Sequence, residues 1–308
     1  MNEVILTERL AKQYGSFNAV NDVSLQVLRG EIYGFLGLNG AGKTTMIRML
    51  LGMIRPTSGA AYLKGKLINA ASSTIWNQVG YMVETPYAYP DLTVRENLEA
   101  MRKLRGIVDY RSVERIIDRL QLGEYQNKKA KNLSLGNAQR LGIAKALLHE
   151  PDILILDEPS NGLDPIGIVE IRELLQGLAY EQGVTIFISS HLLGEVSKLA
   201  TRIGIIHAGS LLQEVKASEL EQCLRKRLLV AARDQHTAES ILKLNGLPYT
   251  VNEQGIFELS RSAEVLRPDH VARLFVQAEC PPTLLQVIEE DLESYFVRVI
   301  GQKGATAV

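Results

Sequence analysis

Gly37-Leu-Asn-Gly-Ala-Gly-Lys43-Thr44 follows the apolar run Ile32 to Leu36 and precedes a helical pattern over Thr45 to Ile54. The octet fits GxxxxGK(S/T), and the strand before it and helix after it are the context that this pattern needs. Its glycines let backbone N–H groups turn toward a phosphate, and the helix N-terminus adds partial positive charge. Lys43 is placed to reach the β and γ phosphates, and Thr44 offers a hydroxyl to Mg²⁺. With Asn39, Gly40, Ala41, Gly42 and Thr45 they form a candidate nucleotide cradle. The loop specifies a nucleotide and leaves the reaction open.

Two further runs, Asp152 to Asp157 and Val184 to Ser189, are apolar nearly throughout, as expected of central strands covered on both faces. Such runs alternate with helical patterns over the first two-thirds of the chain, which predicts an α/β domain on a largely parallel sheet. Ligands of these sheets sit beyond the carboxyl ends of the strands. Ile153-Leu-Ile-Leu-Asp157-Glu158 ends there in two carboxylates, an arrangement that is costly unless a cation or proton compensates it. Asp157 is the natural Mg²⁺ partner of the loop. Glu158 is then the general base that polarises a water for in-line attack on a γ-phosphate, a role worth about 10²–10⁴ in rate.

A helical subdomain is expected at about 92–148, where Thr93 and Glu96 form a capping box and Val113, Ile116, Ile117 and Leu120 recur at helical spacing. From residue 216 the character changes. Strand candidates at Arg227 to Ala232, Tyr249 to Val251 and Ile256 to Leu259 mix with helices around Ala238 to Leu244 and Asp269 to Gln277, closing at Asp291 to Gly301. This predicts two domains, 1–215 and a small α+β module at 216–308. The 308 residues carry 34 Lys plus Arg against 35 Asp plus Glu, a net charge of −1, so a broadly basic nucleic-acid-binding surface is not expected. No run approaches the roughly 18 apolar residues of a membrane span. Nor does Met1 to Leu10 have the basic-then-apolar form of a secretory signal, and cytosolic synthesis is expected. Cys223 and Cys280 read as small buried hydrophobes, and the short basic clusters at Lys128 to Lys131 and Arg225 to Arg227 as solvated faces.

Leu133-Ser-Leu-Gly-Asn137-Ala-Gln-Arg140 resembles the signature of ATP-binding cassette (ABC) ATPases. Tyr14, in Lys12-Gln-Tyr-Gly, is similar to the family's adenine-stacking aromatic, Ser160-Asn-Gly-Leu-Asp164 to the loop after the second carboxylate motif, and His191 to the switch histidine. The motifs keep the family's order over Met1 to about Gly209. The resemblance implies a P-loop NTPase core that binds ATP and Mg²⁺. It further implies a head-to-tail dimer in which Ser134 and Gly136 of one subunit complete the ATP site of the other, with His191 sensing the γ-phosphate. Separate permease subunits would hold the chain at the cytoplasmic face of a bacterial membrane.

Glu84, in Val79-Gly-Tyr-Met-Val-Glu84-Thr-Pro86, stands at the border of the helical insert, where most of the family has a glutamine that offers its carbonyl to Mg²⁺ or the attacking water. Together with Leu135 and Asn137 in the signature, it resembles the exporters that protect bacteria from bacitracin and lantibiotic peptides. Glu84 joins Thr44 and Asp157 as a candidate metal contact, with a simple stand-in for glutamine as the plainer reading. The alternative function is a soluble ABC machine acting on ribosomes or DNA. Such proteins usually carry two cassettes or a long coiled coil, and this chain shows one cassette and no heptad run.

Overall fold

The computed structural model describes residues 3–69, 73–84, 86–260, 264–265 and 267–304, with backbone alone at 73–74 and 302–304. Two compact units divide at Ser218 and Glu219.

In the first unit, β1 (Glu3–Tyr14) and β2 (Phe17–Leu28) form a hairpin. With β4 (Ser58–Leu63) and β5 (Lys66–Leu67) it builds an antiparallel sheet of order β2-β1-β4-β5. The second sheet contains β3 (Ile32–Leu36), β6 (Val79–Met82), β7 (Ile153–Asp157), β8 (Thr185–Ser190), β9 (Arg202–His207) and β10 (Ser210–Lys216), in the order β10-β9-β3-β8-β7-β6. All its pairs are parallel except β9 with β10. Every residue of β3, β7 and β8 is buried, which accounts for their unbroken apolar character. Phe187 on β8 packs 5.5 Å from Tyr33 and 5.4 Å from Phe35 between ring centroids, locking β8 to β3.

Register then decides where chemistry is possible. Leu36 lies opposite Ser190, and Asp157 opposite Ser189. The turns that follow β3, β7 and β8 therefore open at one edge of the sheet, side by side.

After β3 comes α1 (Lys43–Leu50), shorter than the Thr45 to Ile54 pattern. Gly52 takes φ +64° and the Met53 N–H returns to the Arg48 carbonyl at 2.9 Å, a left-handed stop that leaves Ile54 outside the helix. Three helices build the insert: α2 (Val94–Leu104), α3 (Arg111–Arg119) and α4 (Leu135–Leu147). The Thr93–Glu96 capping box is formed in both directions. Gly142 on α4 has no room for a side chain: a Cβ there would lie 2.5 Å from Pro86 and 2.7 Å from the Met82 sulfur. That close approach presses α4 against the segment containing Glu84. Two further helices, α5 (Pro165–Gln182) and α6 (Leu193–Leu199), complete the unit.

The second unit contains α7 (Leu220–Cys223), β11 (Lys226–Ala232), α8 (Gln235–Leu244), β12 (Thr250–Val251), β13 (Phe257–Leu259), α9 (Pro268–Gln277), β14 (Pro282–Glu289) and α10 (Leu292–Gly304). Its sheet is antiparallel with order β12-β13-β11-β14, and the β-α-β-β-α-β sequence makes it a split βαβ of ferredoxin-like topology. Leu228, Val230 and Ala232 alternate inward beneath Ile241, Leu242, Val271 and Phe275. The sequence reading passes over β14. Pro282 is its first residue on an edge strand, where a missing N–H costs the ladder little.

Candidate active site

Gly42 caps the start of α1 at φ +110°, and a Cβ there would lie 2.4 Å from the Ala19 carbonyl oxygen, so only glycine fits. The next side chain, Lys43, is buried at 6% exposure. Its ammonium donates to the Gly37 carbonyl at 2.7 Å and the Leu38 carbonyl at 3.3 Å, and lies 3.1 Å from Glu158 Oε1. The Thr44 hydroxyl donates to Asp157 Oδ2 at 2.7 Å, while the Ser189 hydroxyl donates to Asp157 Oδ1. Asp157 is 2% exposed, so these two bonds offset the cost of burying its charge.

Glu158 adopts φ +50°, a left-handed conformation that costs a non-glycine residue roughly 1–2 kcal/mol. Both its peptide groups are held. Its N–H points to Ser189 O at 3.2 Å and Ser189 Oγ at 3.1 Å, and its carbonyl accepts from Gln139 Nε2 and the Asn161 N–H, each at 3.1 Å. Turned this way, its carboxylate bridges Lys43 and His191, whose Nδ1 is 2.7 Å from Glu158 Oε2. Lys43, Glu158 and His191 thus form one chain, beside a second made by Thr44, Asp157 and Ser189.

The other candidates are placed as follows. Asn39 and Gly40 are exposed at the loop tip, Ala41 is buried, and Thr45 is half-buried on α1. Tyr14 is 48% exposed at the end of the β1–β2 hairpin, with Lys12 Nζ 5.0 Å from its ring centroid. That hairpin reaches the loop through Gly209, which accepts from the Asn21 N–H and donates to the Ala41 carbonyl. Ser134 caps α4, its Oγ accepting from the Asn137 N–H. A Cβ on Gly136 would meet Leu163 at 3.4 Å and the Gly162 carbonyl at 3.7 Å, so the signature packs on the Ser160 to Asp164 loop. The described contacts of Ser134 and Gly136 do not lead to Lys43.

Glu84, at φ +58°, pairs with Arg48 Nη2 of α1 at 2.6 Å on the exposed face, and the Thr44–Asp157 bond stands without it. Among the described residues, no group of three or more His, Cys, Asp and Glu could hold a metal unaided. At the end of α4, burial and then the Arg105 charge push the His149 pKa down to about 4, although its Nε2 bonds the Val79 carbonyl at 3.0 Å. Sequence reasoning missed Ser189, Gln139 and Arg48 as parts of this site. The only available signal was polar residues ending or entering otherwise apolar elements.

Residues 20–161 match the ABC transporter family. Bacitracin transport ATP-binding protein BcrA of Bacillus licheniformis is 42% identical over 303 residues, 98% of this chain and 98% of that protein. The chain belongs to the ABC transporter family. As an ABC ATPase it binds and hydrolyses ATP, with the α/β cassette fold described above. BcrA of Enterococcus faecalis is 43% identical over 308 residues, spanning 99% of this ABC ATPase and 98% of its own length. The dimeric structure of a bacterial ABC transporter cassette superposes with a TM-score of 0.64 at 26% identity, covering 69% of this chain and 98% of that one. No helix among the described residues is long and apolar enough to cross a membrane.

Proposed function

We propose that this ABC ATPase powers a bacterial exporter whose membrane-spanning subunits are separate chains, and that its cargo is bacitracin or a similar peptide antibiotic. The observation that carries this reading is similarity to two bacitracin transport subunits along nearly the whole chain, beyond the shared cassette. The first compact unit, to Ser218, is the ATPase domain, a few residues beyond the boundary expected at 215, with its helical subdomain at about 92–148, and the second is an accessory module. Two copies pair head to tail, docked on the permease at the cytoplasmic membrane surface. A soluble machine on ribosomes or DNA is less well supported, because these relatives are named for transport.

In this reading the adenine stacks on Tyr14, and the phosphates lie on the backbone N–H groups from Asn39 to Thr45. The facing hydroxyl and carboxylate oxygens of Thr44 and Asp157 suit a hard cation, and they would hold Mg²⁺ with the phosphates. Bound there, Mg²⁺ supplies charge neutralisation. An arriving γ-phosphate competes with Glu158 for Lys43 and frees the carboxylate. Glu158 then accepts the proton of the attacking water as its oxygen bonds phosphorus in line and the β–γ bridge breaks, giving ADP and phosphate. His191 stays beside the Glu158 carboxylate and hydrogen-bonds the γ-phosphate. Ser134 and Gly136 of the second copy close the site. Glu84 reaches the metal only by leaving Arg48, and the border of the insert where it stands is also where the permease would dock.

Detergent extraction with a tag on this chain tests the reading. A polytopic membrane protein should copurify, and ATPase activity of the reconstituted complex should rise with bacitracin. Ribosomes or DNA in place of a membrane protein would reverse it.

A further inference from the structure

Gln139 follows Ser134, the cap of α4, by five residues, roughly 7.5 Å along a helix rising about 1.5 Å per residue. It is 3% exposed, and its amide donates to the backbone carbonyl of Glu158 at 3.1 Å. A non-glycine residue stays in the left-handed region only while its surroundings fix the peptide planes on both sides. For Glu158 the preceding N–H is fixed by Ser189 of β8, and the following carbonyl by Asn161 and Gln139. Of these partners, Gln139 alone belongs to the helix that Ser134 caps.

We propose that Gln139 is a positioning residue: it sets the peptide plane after Glu158, hence the aim of that carboxylate, and ties it to α4. The proposal deepens the two-copy reading above, in which Ser134 meets the other copy's ATP. A nucleotide seated on Ser134 fixes α4, and Gln139 passes that constraint to the base acting on the chain's own ATP. Gln139 touches no reacting atom. Its effect comes from geometry, where a misplacement of about 1 Å can cost about 10²-fold in rate.

The test is Gln139→Met in the full chain, which keeps length and apolar packing but removes the donor. ATP turnover at saturation should fall about tenfold to a hundredfold, while KM and the affinity for a fluorescent ATP analogue stay within about twofold. The Hill coefficient for ATP should drop toward one. Gln139→Leu, which keeps an apolar side chain of similar volume without the N–H₂, should behave alike. In a Glu158→Gln background, Gln139→Met should still form the Mg-ATP dimer, because pairing does not need the base. Wild-type turnover in Gln139→Met overturns the proposal. So does a loss of nucleotide affinity and dimer matching the loss of turnover, which would make Gln139 scaffold for α4 alone. If Glu158→Gln by itself fails to pair, the two-copy reading falls, and the turnover of Gln139→Met still decides whether Gln139 positions Glu158.

Discussion

Ser189→Ala should destabilise the ATPase unit by about 2–3 kcal/mol. Ser189 is fully buried, and its hydroxyl makes two bonds at once: it donates to Asp157 Oδ1 and accepts the Glu158 N–H at 3.1 Å. A hydrogen bond to a charged acceptor contributes about 1.5–3 kcal/mol. Asp157 keeps Thr44 as a donor and the Glu158 N–H keeps the Ser189 carbonyl, so neither group is orphaned and the cost stays below that of an unpaired buried charge. For a unit of this size, each kcal/mol is worth about 2–4 °C, so the melting temperature should fall by about 4–12 °C. Turnover should fall further than ATP affinity, because Glu158 loses a bond that holds its backbone while Lys43 and the backbone N–H groups of the phosphate loop make no bond to Ser189. Urea titration followed by tryptophan fluorescence gives the stability, and a coupled phosphate-release assay the turnover. Destabilisation under about 0.5 kcal/mol with normal turnover would refute the claim that Ser189 organises both carboxylates.

Lys43→Ala should lose ATP affinity and hydrolysis together, since the ground-state phosphate contact proposed for its ammonium goes with it; equilibrium binding beside turnover checks this. Ser134→Arg should bind ATP yet fail to pair, and a fully active homodimer would rule out composite sites. Glu84→Gln should leave basal hydrolysis within roughly tenfold, about 1.4 kcal/mol of barrier, but weaken stimulation by cargo in the reconstituted complex. Coupling equal to wild type would make Glu84 a plain substitute for glutamine. Folding stability should decline as pH falls from about 6.5 toward about 4, because His149 is held neutral in the fold and binds a proton more readily once unfolded. That contribution is fully present above the unfolded pKa, and His149→Gln should flatten the profile over this window.

Legibility in the sequence followed burial. β3, β7 and β8 were readable because both faces are covered, and so was the phosphate loop between β3 and α1. The antiparallel sheet was largely hidden. Bulges after Glu3 and Thr7, and again after Leu10, break the two-residue alternation of β1 that would have announced it. The motif residues Lys43, Asp157, Glu158 and His191 could be named because short motifs fix their chain neighbours. What sequence could not give was Glu158's left-handed backbone, nor the Ser189 and Gln139 bonds that hold it, because these partners lie 31 and 19 residues away. Glu84 could be placed at the edge of the insert, but its pairing with Arg48 depends on how α1 packs beside that edge.

Light scattering of purified Glu158→Gln with Mg-ATP tests the central claim most directly, that Glu158 is the base of a site completed by a second copy. The amide keeps the shape and removes proton acceptance, so turnover should nearly vanish while ATP still binds, and the trapped species should have the mass of a dimer. A monomer that hydrolyses ATP at the wild-type rate would contradict both the base and the shared site.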